Sequence, residues 1–141
     1  MLHISEDSVT GDDQQTQHVI NCAVLPRLHK LLSNDGKGIL KEACWAPSNI
    51  ASGSKQQLQA VIDHNISPAL AHMLETEDFE IRKECAWAIS NATSGDNVQI
   101  KCLVDAGCVP PLVNLLDKPD VCIVGVALLG IVNILKCGQI N

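Results

Sequence analysis

The sequence predicts an all-α fold, a solenoid of stacked three-helix repeats. Three observations point to it. First, landmark residues recur at a step of 42: Trp45 and Trp87, then Asn49, Asn91 and Asn133, then Pro26, Pro68 and Pro110, then Gly11, Gly53 and Gly95. Second, whole segments fall into register at that step, ILKEACWAPSNI from Ile39, IRKECAWAISNA from Ile81 and IVGVALLGIVNI from Ile123. Third, the chain is 46% hydrophobic but only 2% aromatic, which suits Leu/Ile/Val/Ala helix packing better than an aromatic-rich sandwich or barrel. Self-similarity at a period of about 40–47 residues marks a helical repeat array, and such arrays set equivalent side chains in rows along one surface.

Each element can be justified in order. Residues 1–141 read as one domain, with repeats at 12–53, 54–95 and 96–138. Residues 1–11 read as the tail of a preceding repeat, because Thr10-Gly11 matches Ser52-Gly53. Every repeat opens with a short helix (14–22, 56–63, 98–105) and a Pro-marked turn. A second helix follows (25–33, 67–75, 109–117), since Pro is tolerated where its missing N–H has no intrahelical partner. A longer third helix closes each unit (37–52, 78–94, 119–137). Gly53 and Gly95 fall just beyond the first two, where a left-handed residue is expected. Three helices per repeat match the armadillo pattern, a right-handed α-solenoid, rather than the two-helix HEAT or TPR pattern. Neither end carries the polar capping repeat that keeps such arrays soluble.

Composition excludes several function classes. The formal charge of −6 is the opposite of the basic face a nucleic-acid binder shows, and an acidic surface favours cationic partners. The seven cysteines are odd in number and form no CxxC pair, so they read as reduced structural thiols of a cytosolic or nuclear protein. Residues 1–17 are polar and acidic and do not form a signal peptide. No apolar run approaches the ~20 residues that span a bilayer, so no membrane partner is expected. The five histidines show no metal-ligand spacing, and Gly36-Lys37-Gly38 lacks the spacing of a phosphate loop. Asn65-Ile66-Ser67 and Asn91-Ala92-Thr93 match the glycosylation pattern, but without a secretory signal they read as chance. No catalytic grouping has a supporting motif. The expectation is a non-enzyme with neither cofactor nor metal.

The third helices carry the chemistry. Residues at i, i+3, i+4 and i+7 share a helix face, which groups Glu42, Trp45 and Asn49, and likewise Glu84, Trp87 and Asn91. The other side is Ala43, Pro47 and Ile50 in the first repeat and Cys85, Ile89 and Ala92 in the second, apolar as a core face should be. Stacked helices lie about 8–10 Å apart. Two outward indoles therefore leave a slot for one aliphatic stem, and Lys and Arg carry such a stem with a cationic end. Each Asn amide offers a donor and an acceptor to an extended backbone, about three residues of which pass each repeat. The predicted site is Glu42, Trp45, Ser48, Asn49, Glu84, Trp87, Asn91 and Asn133, and the predicted ligand is an extended Lys/Arg-rich peptide. Plainer readings compete: Trp as core, the Asn row as a spacer between repeats, the acidic residues as a solvated face.

KEACW…SN from Lys41 and KECAWAISNATSG from Lys83 resemble the importin-alpha (karyopherin-alpha) armadillo repeats, as do TGDDQQTQ from Thr10, QAVIDHNI from Gln59 and NILKCG from Asn133. The resemblance runs from about Val9 to Gly138 and matches the end of the sixth repeat through the ninth. It implies a nuclear-import adaptor of cytoplasm and nucleus whose later repeats hold a minor groove for nuclear-localisation signals. Trp45, Asn49, Trp87 and Asn91 then fall on that groove's Trp/Asn pairs, and Glu42 and Glu84 on its acidic partners. The chain departs from the family at His3, Asp7, Pro47 and Val132, where the family usually has Arg, Asn, Ile and an acidic residue. A mid-helix Pro loses a hydrogen bond and clashes with the preceding turn, so weaker peptide binding is expected, or none through the first repeat. The alternative function is a degenerate scaffold with an inactive groove that binds a folded partner or self-associates through its uncapped ends.

Overall fold

The computed structural model describes residues 9–33 and 36–140. Among them lie nine α-helices, and no strand occurs. The first repeat contains α1 (Val9–Asn21), α2 (Val24–Leu31) and α3 (Lys37–Ala51). The second contains α4 (Lys55–Asp63), α5 (Ile66–Thr76) and α6 (Phe79–Ala92). The third contains α7 (Asn97–Asp105), α8 (Val109–Asn114) with a 3₁₀ turn at Leu115–Asp117, and α9 (Val121–Ile140). The three-helix repeat is as predicted. The third helices form the spine: α6 packs between α3 and α9, while α5 and α8 pack on the third helices of their own repeats.

Local chemistry sets the boundaries. Ser54 caps α4 and Asp96 caps α7. Each accepts from the backbone N–H of the third helical residue, Gln57 or Gln99, whose side chain accepts in return from the cap's own N–H. Two of the unpaired amides that every helix start leaves open are satisfied this way. Asp78 and Asp120 cap the last two third helices through the N–H groups of Ile81 and Ile123. Pro26, Pro68 and Pro110 all fall in the first turn of a second helix, where a missing N–H costs nothing.

Two expectations are corrected. Gly53 and Gly95 are not left-handed; among the described residues positive φ occurs at Ala23 (65°), Asn65 (58°) and Gly107 (93°). These three also stand 42 apart, at the turn between first and second helices. The glycines answer to crowding instead: a Cβ at Gly53 would strike the Gln57 amide, and one at Gly95 would come within 2.5 Å of Gln99 Oε1 and 2.7 Å of Leu58 Cδ2. The capping glutamines fold back over these positions and exclude a side chain. Second, α1 already runs through Thr10 and Gly11. Those two residues are helical rather than a link between repeats. Residues 1–8, with His3 and Asp7, lie outside the described residues.

The core runs the length of the array. Leu25, Ile66, Leu74, Ile81, Ile89, Leu103, Leu112, Leu115 and Ile123 are fully buried. Buried polar groups serve the repeat spacing. Gln99 donates to Lys55 O (3.2 Å) and Gln59 Oε1 (3.0 Å), and Gln57 donates to Gln17 Oε1 (3.4 Å). The same glutamine contact thus recurs one repeat later. Ion pairs Lys37–Asp78, Lys41–Glu80 and Lys55–Asp96 also join successive repeats.

Candidate functional site: the third-helix face

Apart from Ser48, the predicted residues sit on the side of the spine away from the core. Trp87 is 42% exposed. Trp45, Asn49, Glu84, Asn91 and Asn133 are half-buried and Glu42 is exposed. The residues assigned to the core face, Ala43, Pro47, Ile50, Cys85, Ile89 and Ala92, are all buried. Cys44, Ala86 and Ala88 are buried as well, because each third helix is covered from both the inside and the neighbouring repeat. What remains open is a narrow stripe, and the Trp row occupies it.

The asparagines are also structural. Asn91 donates its amide to Ser48 Oγ (2.9 Å) and Ser48 O (3.3 Å) of the previous repeat. Asn133 donates to Thr93 Oγ1 (3.1 Å), which itself donates to Ser90 O. Each asparagine ties its helix to the one before it, and in these bonds the amide nitrogen donates while the carbonyl oxygen takes no part. Ser48 is buried; the structure places it beneath Asn91 as an acceptor rather than at the surface. Ser90, its equivalent, donates to Val126 O (3.0 Å) and joins α6 to α9.

Pro47 lies inside α3 and is fully buried, and the helix continues past it to Ala51. It does not separate Trp45 and Asn49 onto different elements. Its equivalents one and two repeats on are Ile89 and Ile131, so a core-facing apolar residue is kept and one backbone hydrogen bond is lost.

Two lysines escaped the sequence reading. Lys41 and Lys83 precede Trp45 and Trp87 by four residues and thus share the open stripe. Both are drawn to one acid on α6: Glu80 Oε2 lies 3.8 Å from Lys41 Nζ and Glu80 Oε1 3.1 Å from Lys83 Nζ. The Lys83 ammonium also stands 5.3 Å from the Phe79 ring centre, and its hydrogen bond to Glu80 raises its pKa. The same repeat spacing that marked Glu and Trp would have found these lysines.

Among the described residues no group of three or more His, Cys, Asp or Glu side chains could hold a metal ion. No helix there is long and apolar enough to cross a membrane. A shallow hollow of about 160 Å³ lies between the Gly53-Ser54 and Gly95-Asp96 links, away from the Trp row.

The armadillo/beta-catenin-like repeat model matches residues 12–52, 54–94 and 96–136. The chain belongs to that family. Among curated proteins it is 56% identical over 45 residues to importin subunit alpha-1a and 60% identical over 38 residues to importin subunit alpha-1b, both of Oryza sativa subsp. japonica. Those stretches are 31% and 26% of this chain, but only 9% and 7% of the relatives. Among solved structures, a designed armadillo repeat protein in complex with the peptide (KR)4 is 34% identical with a TM-score of 0.81, over 89% of this chain and 57% of that one. An engineered protein reaches a TM-score of 0.84 at 32% identity, over 88% of this chain and 51% of that one.

Proposed function

We propose that the third-helix face binds an extended Lys/Arg-rich segment of the nuclear-localisation type, in the manner of an import adaptor's minor groove, in cytoplasm and nucleus. The observation that carries this reading is the outward Trp row: Trp45 and Trp87 hold one register position on packed neighbouring helices, and neither is in the core. Their ring faces attract a cation by about 0.5–2 kcal/mol, while Glu42 and Glu84 stand one turn earlier on the same face. The short importin likeness and the designed relative bound to (KR)4 support the same chemistry. Asn91 and Asn133 hold the spacing of the slot, and Ser48 acts only beneath Asn91. The activity is binding, not catalysis.

Tryptophan fluorescence titrated with a Lys/Arg-rich peptide at two salt concentrations tests it. A saturable change is expected, weakened by salt because exposed charges are screened, and lost in Trp87→Ala. No change from the folded protein would refute it.

A second reading, self-association, is favoured by one observation. Leu128 and Leu135 are 48% and 62% exposed, whereas their equivalents one repeat earlier, Ala86 and Thr93, are buried. Elution that shifts with concentration in size exclusion would support it; a constant monomer would exclude it.

A further inference from the structure

We infer that Leu129, the third rung of the Trp row, selects a peptide in which the basic stretch is followed or preceded, about three residues away, by an apolar side chain. The inference rests on the peptide-binding reading above and sharpens it.

Leu129 stands to Asn133 as Trp87 stands to Asn91 and Trp45 to Asn49, four residues ahead on the same helix face. It is 55% exposed. That exposure belongs to the row rather than to the end of the array: Trp87 holds the same position on a helix covered from both sides by α3 and α9, and it too remains open. Leu128 and Leu135 differ in this respect, since their equivalents are buried. The α9 backbone approaches α6 closely beside Leu129, where a Cβ on Gly130 would lie 3.6 Å from Ser90 Cα. The third rung is thus held against the second.

The chemistry of the stripe changes between these rungs. Positions that hold Lys83 and Glu84 on α6 hold Gly125 and Val126 on α9. No charged residue occurs from Val121 to Leu135. A Cβ on Gly125 would meet nothing within 4 Å, so no neighbouring side chain fills the space one turn ahead of Leu129. A cation gains less here than between the two indoles, because Leu129 offers no ring face and α9 adds no carboxylate. An aliphatic side chain gains by covering Trp87 and Leu129 together. An extended chain advances about 3.3 Å per residue, and helices stack about 8–10 Å apart. A Lys between Trp45 and Trp87 therefore places the residue three positions away between Trp87 and Leu129. The fitting ligand is basic at one rung and aliphatic at the next.

Three peptides test this: one Lys/Arg run with alanine flanks, one with Leu three residues before the run, and one with Leu three residues after it. Each is titrated against the whole chain by tryptophan fluorescence. One Leu-bearing peptide should bind about tenfold tighter than the alanine peptide, the scale of burying a leucine in part, and that gain should survive high salt. Leu129→Gln should remove the gain, bringing the Leu-bearing peptide down to the affinity of the alanine peptide for the same variant, and Leu129→Met should retain it. Equal binding of all three peptides, or a gain that persists in Leu129→Gln, would overturn the role of Leu129 while leaving the basic groove standing. Failure of all three to bind the folded protein would overturn both.

Discussion

Cys44 and Cys85 meet across α3 and α6 with their sulfurs 3.5 Å apart, and neither is exposed. The hydrogen bond to Cys44, together with burial, pushes the Cys85 thiol far above its ordinary range. Burial raises Cys108 to about 11. Because the thiolate is the reactive form, native protein treated with a maleimide at neutral pH should be labelled at the exposed Cys22, Cys102 and Cys122 and spared at Cys44, Cys85 and Cys108. Peptide mapping reads the outcome, and label on Cys85 before unfolding would contradict the α3–α6 contact. Ala23 is a second residue with a clear consequence. It holds φ 65° where the later repeats use Asn65 and Gly107, and a Cβ there costs on the order of 1 kcal/mol. Ala23→Gly should raise urea stability by about 0.5–1 kcal/mol, the freedom of glycine in the unfolded chain offsetting part of the gain. The three positions carry different residues, so the 42-residue landmarks did not mark them, and the left-handed turn appears only in the backbone.

At the scale of the helix, two glycines make opposite predictions. Gly95 is hemmed by Gln99 and Leu58, whereas Gly125 faces open space inside α9. Gly95→Ala should cost about 1–3 kcal/mol as an overpacked site; Gly125→Ala should stabilise by up to about 1 kcal/mol through helix propensity. Thermal unfolding of both variants checks the contrast, and equal effects would refute the capping account of Gly95. Pro47 belongs to this scale too. Pro47→Ile places there the residue its equivalents Ile89 and Ile131 already carry, and returns a backbone hydrogen bond. A gain of up to about 3 kcal/mol in urea stability is expected. Helix existence and type were legible in the 42-residue pattern. The helix starts were legible less well: α1 begins earlier than its polar residues suggest.

Across the whole molecule, successive repeats are joined by apolar packing, the glutamine and asparagine contacts, and exposed ion pairs. The pair Lys37–Asp78 lowers the aspartate's pKa and raises the lysine's, chiefly through their mutual hydrogen bond. Asp96 is lowered in the same way by Lys55. The sign follows: a depressed carboxyl contributes above its unfolded pKa and loses that contribution as pH falls through the folded one, and a raised lysine contributes below its unfolded pKa and loses it as pH rises. Melting temperature should hold between about pH 5 and 9 and fall in acid below about pH 4 and again in strong base. The acid loss should be small because such pairs are solvent-screened. Melting that improves from pH 5 to pH 3 would rule out these pairs as links between repeats.

Sequence by itself determined the repeat, its three-helix content, and the face on which Glu42, Trp45, Glu84 and Trp87 lie, because periodicity is a property of the chain and burial follows it. Tertiary structure decided what that periodicity leaves open. Asn91 and Asn133 serve as ties between repeats, Ser48 lies under the surface, and Gly53 and Gly95 yield space to a glutamine. Each of these depends on which atoms of another repeat stand opposite, and a spacing of residues along one strand of sequence carries no such distance.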